Sequence, residues 1–195
     1  MKRTSLPPLW VLLVALMPSM ALAHPGADHG AHHFASGFIH PFTGLDHILA
    51  MAAVGMWADQ LGAAARWRVP LAFLAMMIGG GLLAALHVAL PFVESAILAS
   101  ILILGLLLLF TLRLPLGPAI ALVSIFAIFH GYVHVAEIPI GASLLKYFCG
   151  FMAATVILVS AGCALGHFLA SDRNRLRLRA CGGAIVLMAF LLACA

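Results

Sequence analysis

The chain has 195 residues, of which 65% are hydrophobic and only 8% are charged, and its mean hydropathy is +1.16. A soluble domain of this length does not need so much apolar surface, and several runs approach the ~20 apolar residues that cross a bilayer. The composition therefore predicts an all-α, polytopic membrane protein. The net charge of +4 does not indicate nucleic-acid binding, because the basic residues lie in short loops, where they determine topology instead.

Residues 1–23 have the pattern of a cleavable signal peptide. Lys2 and Arg3 form a basic start, residues 9–17 form a short apolar stretch, and Ala21-Leu22-Ala23 is a small-residue cleavage site. The alternative is an uncleaved first membrane helix, which the short run and its flanking prolines disfavour. Cleavage leaves residues 24–37 as a polar, flexible, extracytoplasmic segment. Its histidines are candidate auxiliary metal ligands, namely His24, His29, His32 and His33.

Six apolar runs follow over residues 38–195, the predicted transmembrane domain, and each is a predicted transmembrane helix. They cover about 38–58, 69–90, 93–112, 116–137, 142–169 and 178–195. Arginines lie in alternate loops, which the positive-inside rule assigns to the cytoplasm. Both mature termini are therefore predicted to lie outside the cytoplasm.

Three further features of the runs are interpreted as packing. Gly79-Gly80-Gly81 lies in the middle of the second run, where small residues permit close helix contact. The four cysteines contain no CxxC pair, so we expect neither a disulfide nor a thiolate site. His167 is a lone histidine, which we expect to be a packing residue whose replacement has a mild effect.

Two groups of ionisable residues lie inside apolar runs, where each costs roughly 2.5–3.5 kcal/mol unless it is paired or lines a polar cavity. Within each group two histidines lie four or seven residues apart, so they can share one helix face. Imidazoles and carboxylates together suit a borderline divalent ion such as nickel, cobalt or zinc. The predicted topology places both groups in the outer half of the membrane. The six candidate metal ligands are His40, Asp46 and His47 in the first run and His130, His134 and Glu137 in the fourth.

These positions lead to a geometric expectation. The first and fourth runs should pack against each other, with nearest polar atoms within about 6 Å, because metal–nitrogen bonds of ~2.0–2.1 Å require ligands close together. Pro41 and Gly44 favour an irregular start of the first helix, so that Asp46 can orient a histidine. His87 and Glu94 flank the outer turn between the second and third runs and are possible auxiliary ligands.

Two motifs carry a resemblance to a known family: His40-Pro41 through Gly44 to Asp46-His47, with Met51 and Gly55 following, and Phe129-His130-Gly131 through His134 to Glu137. The chain resembles the HupE/UreJ family of nickel/cobalt permeases over its whole length. The signal peptide, the His-rich start and the six-helix layout are similar as well. The family pattern has glycine after the second histidine of the second motif, where this chain has Val135.

The resemblance implies uptake of nickel or cobalt as substrate across a bacterial cytoplasmic (inner) membrane, with no resident cofactor and no enzymatic activity. The implied partners are the lipid bilayer and cytoplasmic metallochaperones of hydrogenase or urease assembly; cobalamin synthesis is another implied destination. The residues alone leave two alternatives: an intramembrane metalloenzyme and a proton-coupled carrier or sensor. The absence of HExxH, and of a serine or cysteine beside a histidine, disfavours a hydrolase. There is no Walker motif, so any use of ATP would need a partner.

Overall fold

The computed structural model describes residues 29–138, 141–169 and 175–194, and within these ranges the chain forms seven α-helices and no strand. The predicted all-α class is confirmed for this part of the chain. The predicted signal peptide and His24 lie outside the described residues. The helices are α1 (His29–Thr43), α2 (Leu45–Leu61), α3 (Ala63–Ala85), α4 (Val93–Leu109), α5 (Leu116–Ala136), α6 (Leu144–Leu169) and α7 (Arg175–Ala193).

Four of the described helices are long and apolar enough to cross a membrane: α3, α5, α6, and α7 from Leu176 onward. Helices α2 and α4 have 17 residues each. At 1.5 Å per residue such a helix is about 26 Å long, slightly less than the ~30 Å hydrocarbon core. The structure therefore supports a helical membrane protein with four full-length candidate membrane spans. The prediction of six transmembrane helices stays a proposal.

The prediction of one helix over 38–58 after a flexible segment needs correction at its start, whereas the irregularity expected near Pro41 and Gly44 is present. Helix α1 already begins at His29, so part of the predicted flexible segment is helical. The run is also divided at Gly44, which has an extended backbone (φ −96°, ψ 119°) and precedes α2. Pro41 lies inside α1 and does not end it. The physical reason is tertiary, since a short helix is marginal alone and α1 packs along α6.

Two glycines allow the backbones of α1 and α6 to touch. A Cβ atom at Gly37 would overlap the carbonyl oxygen of Tyr147, and one at Gly150 would overlap the carbonyl oxygen of Phe34. Such close approach is possible only where the side chain is absent. This contact fixes the position of α1, and with it the position of the histidine near its C-terminal end.

The central helix is α2, which packs chiefly against α6 and also contacts α3 and α4. Of its 17 residues, 11 are buried, and these are distributed around the helix. Both ends of this buried helix carry buried polar side chains, with His47 near the start and Asp59 and Gln60 near the end. Burial of such groups is costly unless they are paired, so both ends are candidate functional regions.

The three-glycine stretch of α3 supports close packing, as expected. Helix α3 is continuous through it, and α3 makes its main contact with α5. A Cβ atom at Gly80 would overlap the carbonyl oxygen of Ile128, and one at Gly131 would overlap that of Met77. Gly79 instead faces open space. Only part of the glycine stretch is therefore required by the packing.

Candidate metal centre

Three imidazoles from three different helices converge at the start of α2. One nitrogen of each of His40, His47 and His134 can be chosen so that all three lie within 4.8 Å of one another. The ring centroids are 5.3 Å apart for His40 and His47, 5.0 Å for His40 and His134, and 4.3 Å for His47 and His134. We call these residues the three-histidine cluster. It brings together two histidines of the first predicted motif and one of the second, within the separation expected from the sequence.

Three nitrogens of this cluster lack a hydrogen-bond partner among the described residues. His134 is fully buried, and neither of its ring nitrogens has a hydrogen-bond partner; Nε2 of His40 has none either. On one side of His134 lies the ring of Phe151, with centroids 3.8 Å apart, which offers no hydrogen bond. A buried polar atom left unpaired costs about 1–3 kcal/mol. An arrangement in which several such atoms converge is suited to a cation that accepts their lone pairs.

Asp46 contacts the histidine beside it in the sequence. Its Oδ2 atom lies 2.9 Å from Nδ1 of His47, whose side chain is only 9% exposed. A carboxylate at Nδ1 orients the imidazole and leaves Nε2 for a metal. The contact exists because α2 starts at Leu45, directly after the extended Gly44, so Asp46 lies in its first turn. This is the geometry expected of an orienting carboxylate.

His130 lies one turn before His134 and is also fully buried. Its Nδ1 lies 3.0 Å from the carbonyl oxygen of Phe126. A carbonyl can only accept, so Nδ1 carries the proton and Nε2 keeps its lone pair, which has no partner among the described residues. The rings of His130 and His47 are 6.5 Å apart, so His130 is a neighbour of the three-histidine cluster and not one of its members.

The carboxylates lie mostly beside the cluster. Asp46, His47, Glu94 and Glu137 line one cavity of about 260 Å³, which we call the acidic cavity. The side chains of Glu94 and Glu137 are exposed. The structure does not place Glu137 within the three-histidine cluster, and its role as a metal ligand stays a prediction. Glu137 follows the last residue of α5 and belongs with Glu94, at the approach to His47.

The remaining auxiliary candidates are not part of the cluster. His87 lies in a separate cavity of about 530 Å³ that is also lined by Tyr132. His33 accepts a hydrogen bond of 3.0 Å at its Nδ1 from the backbone N–H of Ser143, so it connects α1 to the segment before α6. Of the other three histidines of this segment, His24 lies outside the described residues and the backbone of α1 includes His29 and His32.

The expected direct packing of the first and fourth runs is wrong as a principal contact. Helix α2 packs chiefly on α6, and α5 packs chiefly on α3. The imidazoles themselves meet across the space between these helices. The sequence does not reveal the partners, because runs that are apolar on every side carry no directional signal.

Sequence reasoning also missed three residues. Tyr147 and Phe151 of α6 contact the cluster, with 6.1 Å between the rings of Tyr147 and His40. Aromatic residues in an apolar run gave no signal for this position. Asp59, at the other end of α2, was detectable, because an acidic residue inside an apolar run is expensive wherever it occurs.

Comparison with known proteins identifies the family. The family model described as HupE / UreJ protein matches residues 12–192. The chain is similar to Protein HupE of Rhizobium leguminosarum bv. viciae, with 44% identity over 176 residues that cover 90% of this chain and 91% of that relative. No solved structure matches the chain. The chain therefore belongs to the HupE/UreJ family, which is a family of transport proteins and not of enzymes.

Proposed function

We propose that this protein is a secondary permease that takes up nickel or cobalt ions across the bacterial cytoplasmic membrane from the outside. The observation that carries the proposal is the three-histidine cluster beside the acidic cavity, in which both nitrogens of His134 and Nε2 of His40 have no partner in the described part of the chain. Family membership supports a nickel/cobalt transporter-type role. The same membership removes the alternative of an intramembrane metalloenzyme.

The acidic cavity is suited to collecting a cation. It contains the carboxylates of Asp46, Glu94 and Glu137 on one side of His47. Carboxylates that line a cleft with apolar walls raise the local concentration of cations. An ion that arrives there is next to the imidazole of His47, which is the one side chain shared by the cavity and the cluster. His47 is thus the point of transfer from the cavity to the buried site.

The buried site suits transient binding. Three imidazoles supply nitrogen lone pairs to a bound ion, and Asp46 is the only carboxylate among the described residues that contacts one of them directly. A transported ion must bind strongly enough to enter and weakly enough to leave, so an incomplete set of donors serves transport better than a closed cage. Imidazole and carboxylate donors accept nickel and cobalt alike, so we propose both as substrates. The released ion would pass to cytoplasmic metallochaperones of metalloenzyme assembly.

Uptake of radioactive nickel or cobalt into vesicles that contain the purified protein tests the proposal. We expect time-dependent accumulation in vesicles with wild-type protein and none in empty vesicles or with His47→Ala. Proton movement is recorded in parallel with a pH-sensitive dye, because a proton carrier would change the internal pH without accumulating metal. Absence of accumulation of both metals by folded wild-type protein would contradict the proposal.

The proposed topology predicts the labelling of two cysteines introduced into a chain without its native ones. Position 36 is on the exposed side of α1, and position 174 is in the arginine-rich segment before α7. We expect an impermeant thiol reagent to label Ser36→Cys in intact spheroplasts and to label Asn174→Cys only after the membrane is opened. Labelling of position 174 in intact spheroplasts would refute the topology.

We expect the N-terminal histidines to assist uptake when metal is scarce. Replacing His24, His29 and His32 together with asparagine should lower uptake at low external metal and have little effect at high metal, because these residues would only concentrate the ion. His33 is left unchanged since it holds the contact to Ser143. Ser36→Asn, an exposed change on the same helix, is the control. An equal and complete loss at both concentrations would show that the segment belongs to the transport site.

A further inference from the structure

A second polar cluster lies at the opposite end of the central helix. It consists of Asp59 at the end of α2, Arg66 in the first turns of α3 and His167 near the end of α6. Asp59 follows His47 by 12 positions on an unbroken helix. At 1.5 Å per residue the two levels are about 18 Å apart along the helix axis. None of the steps proposed above uses these three residues.

The carboxylate of Asp59 is buried, whereas the side chains of its two partners, Arg66 and His167, are partly exposed. The side chain of Asp59 is 2% exposed, whereas those of Arg66 and His167 are 47% and 71% exposed. The expectation that His167 is a packing residue is therefore wrong. A buried ion pair adds little stability over apolar residues of similar volume, because both charges must be desolvated. The stability of the fold does not by itself explain a buried carboxylate at this position.

The geometry around Arg66 is that of an occupied cation site. Its Nε lies 2.6 Å from Oδ1 of Asp59, and its Nη2 lies 3.4 Å from Nδ1 of His167. A guanidinium can only donate, so Nδ1 of His167 offers its lone pair in this contact. One carboxylate oxygen and one imidazole lone pair thus both face the same guanidinium.

The same two atoms are placed so that one metal ion can bind both. Oδ1 of Asp59 and Nδ1 of His167 are 3.7 Å apart. Two ligand atoms bound at about 2.0–2.2 Å from one ion can be at most about 4.4 Å from each other, so the separation fits. A carboxylate oxygen and an imidazole nitrogen are the same donor types as those at the outer end of α2.

We infer that Asp59 and His167 form an inner binding site for the transported divalent cation, and that Arg66 occupies this site when the ion is absent. The inference rests on the proposed function, since an ion taken up at the outer end must leave at the inner end. Exchange of the guanidinium for the metal keeps the buried carboxylate paired with a cation throughout, which avoids an uncompensated buried charge. Arg66 is already half exposed, so its displaced side chain has solvent to enter.

Nickel binding to purified protein tests the inner site without depending on uptake. The test uses a background in which His40, His47 and His134 are all replaced by leucine, which removes the outer cluster. In this background we expect Arg66→Gln to bind one nickel ion at least about tenfold more tightly than the chain with Arg66 intact, because the competing cation is gone. Adding Asp59→Asn should abolish that binding. Arg68→Gln is the matched control, because Arg68 lies two positions away and stacks over the ring of Trp67.

A second measurement covers the case in which the triple-leucine chain does not fold. In the chain with intact histidines, cobalt absorption spectroscopy should detect one more bound equivalent in Arg66→Gln than in Arg68→Gln. Nickel or cobalt binding that is the same in Arg66→Gln and Arg68→Gln would overturn the inference. Failure of wild-type uptake would instead count against the proposed function, so the two failures are distinguishable.

Metal uptake by a variant that lacks both charges distinguishes a metal-binding site from an ion pair that only stabilises the fold. In the double variant Asp59→Asn/Arg66→Gln neither charge remains, so a purely structural pair would be satisfied and uptake would return to near the wild-type rate. We expect uptake at least about tenfold below the wild type, with unchanged helix content and membrane insertion, because the ligand is missing. Near-wild-type uptake by this variant would overturn the inference.

Discussion

Replacing His134 with leucine should abolish metal uptake and leave the protein at least as stable as the wild type. His134 is fully buried, and both of its ring nitrogens lack a partner among the described residues. Removal of a buried, unsatisfied polar group in favour of an apolar one of similar volume is near neutral or stabilising, by up to about 1–3 kcal/mol. The measurements are metal uptake into vesicles and the midpoint of thermal unfolding in detergent. A loss of uptake together with an unchanged or higher unfolding midpoint would show that His134 is retained for function and not for stability.

The matched control is His87, a histidine outside the three-histidine cluster. His87 has a φ of 56°, so asparagine is the appropriate replacement, because it tolerates left-handed backbone better than alanine or leucine. We expect His87→Asn to retain most of the uptake activity. Uptake by His134→Leu at the rate of His87→Asn would contradict the assignment of the cluster. A fall of several degrees in the unfolding midpoint of His134→Leu would instead assign His134 to packing.

Gly80→Ala should severely destabilise the protein, whereas the same change at the neighbouring Gly79 should not. The added methyl group at Gly80 would overlap the carbonyl oxygen of Ile128, which belongs to the backbone of α5 and cannot move alone. Overpacking typically costs about 1–3 kcal/mol, and separation of two helix backbones is at the upper end of that range. The site depends on this contact, because α5 carries both His130 and His134.

Gly79 provides the control for this prediction within the same turn of helix. A Cβ atom there meets no atom within 4 Å, so alanine costs no packing and gains about 0.5–1 kcal/mol of helix propensity. Size-exclusion chromatography after graded heating measures both variants. Equal midpoints for Gly79→Ala and Gly80→Ala would show that the α3–α5 contact in the structure does not determine stability.

The amino-acid sequence alone determined the class of the protein and the chemistry of the candidate site. Uniformly apolar runs interrupted by arginine loops are sufficient for a helical membrane protein, because backbone groups in lipid must be satisfied within each segment. The helices of the fourth and fifth runs begin and end within two residues of the predicted positions. Ionisable residues inside such runs are conspicuous for the same reason, so His47 and His134 were identifiable without a structure.

The tertiary structure alone decided which of these residues meet. Helix α1 exists because α6 offers Gly150 to its backbone, a contact between positions more than 100 residues apart. Glu137 and His134 are three positions apart, but one lines the acidic cavity and the other lies in the buried cluster. Helix α5 ends between these two residues, and the position of a helix end depends on packing rather than on the local sequence pattern.

The choice of helix partners has the same physical origin. In a chain that is apolar on every face, hydrophobic periodicity does not distinguish the protein-facing side of a helix from its lipid-facing side. Helix contacts are instead decided by where two backbones can come close together. A glycine in the sequence indicates that close contact is possible at its position, but it does not indicate which helix makes that contact. The pairing of α2 with α6, and with it the position of Asp59 beside His167, therefore followed only from the assembled fold.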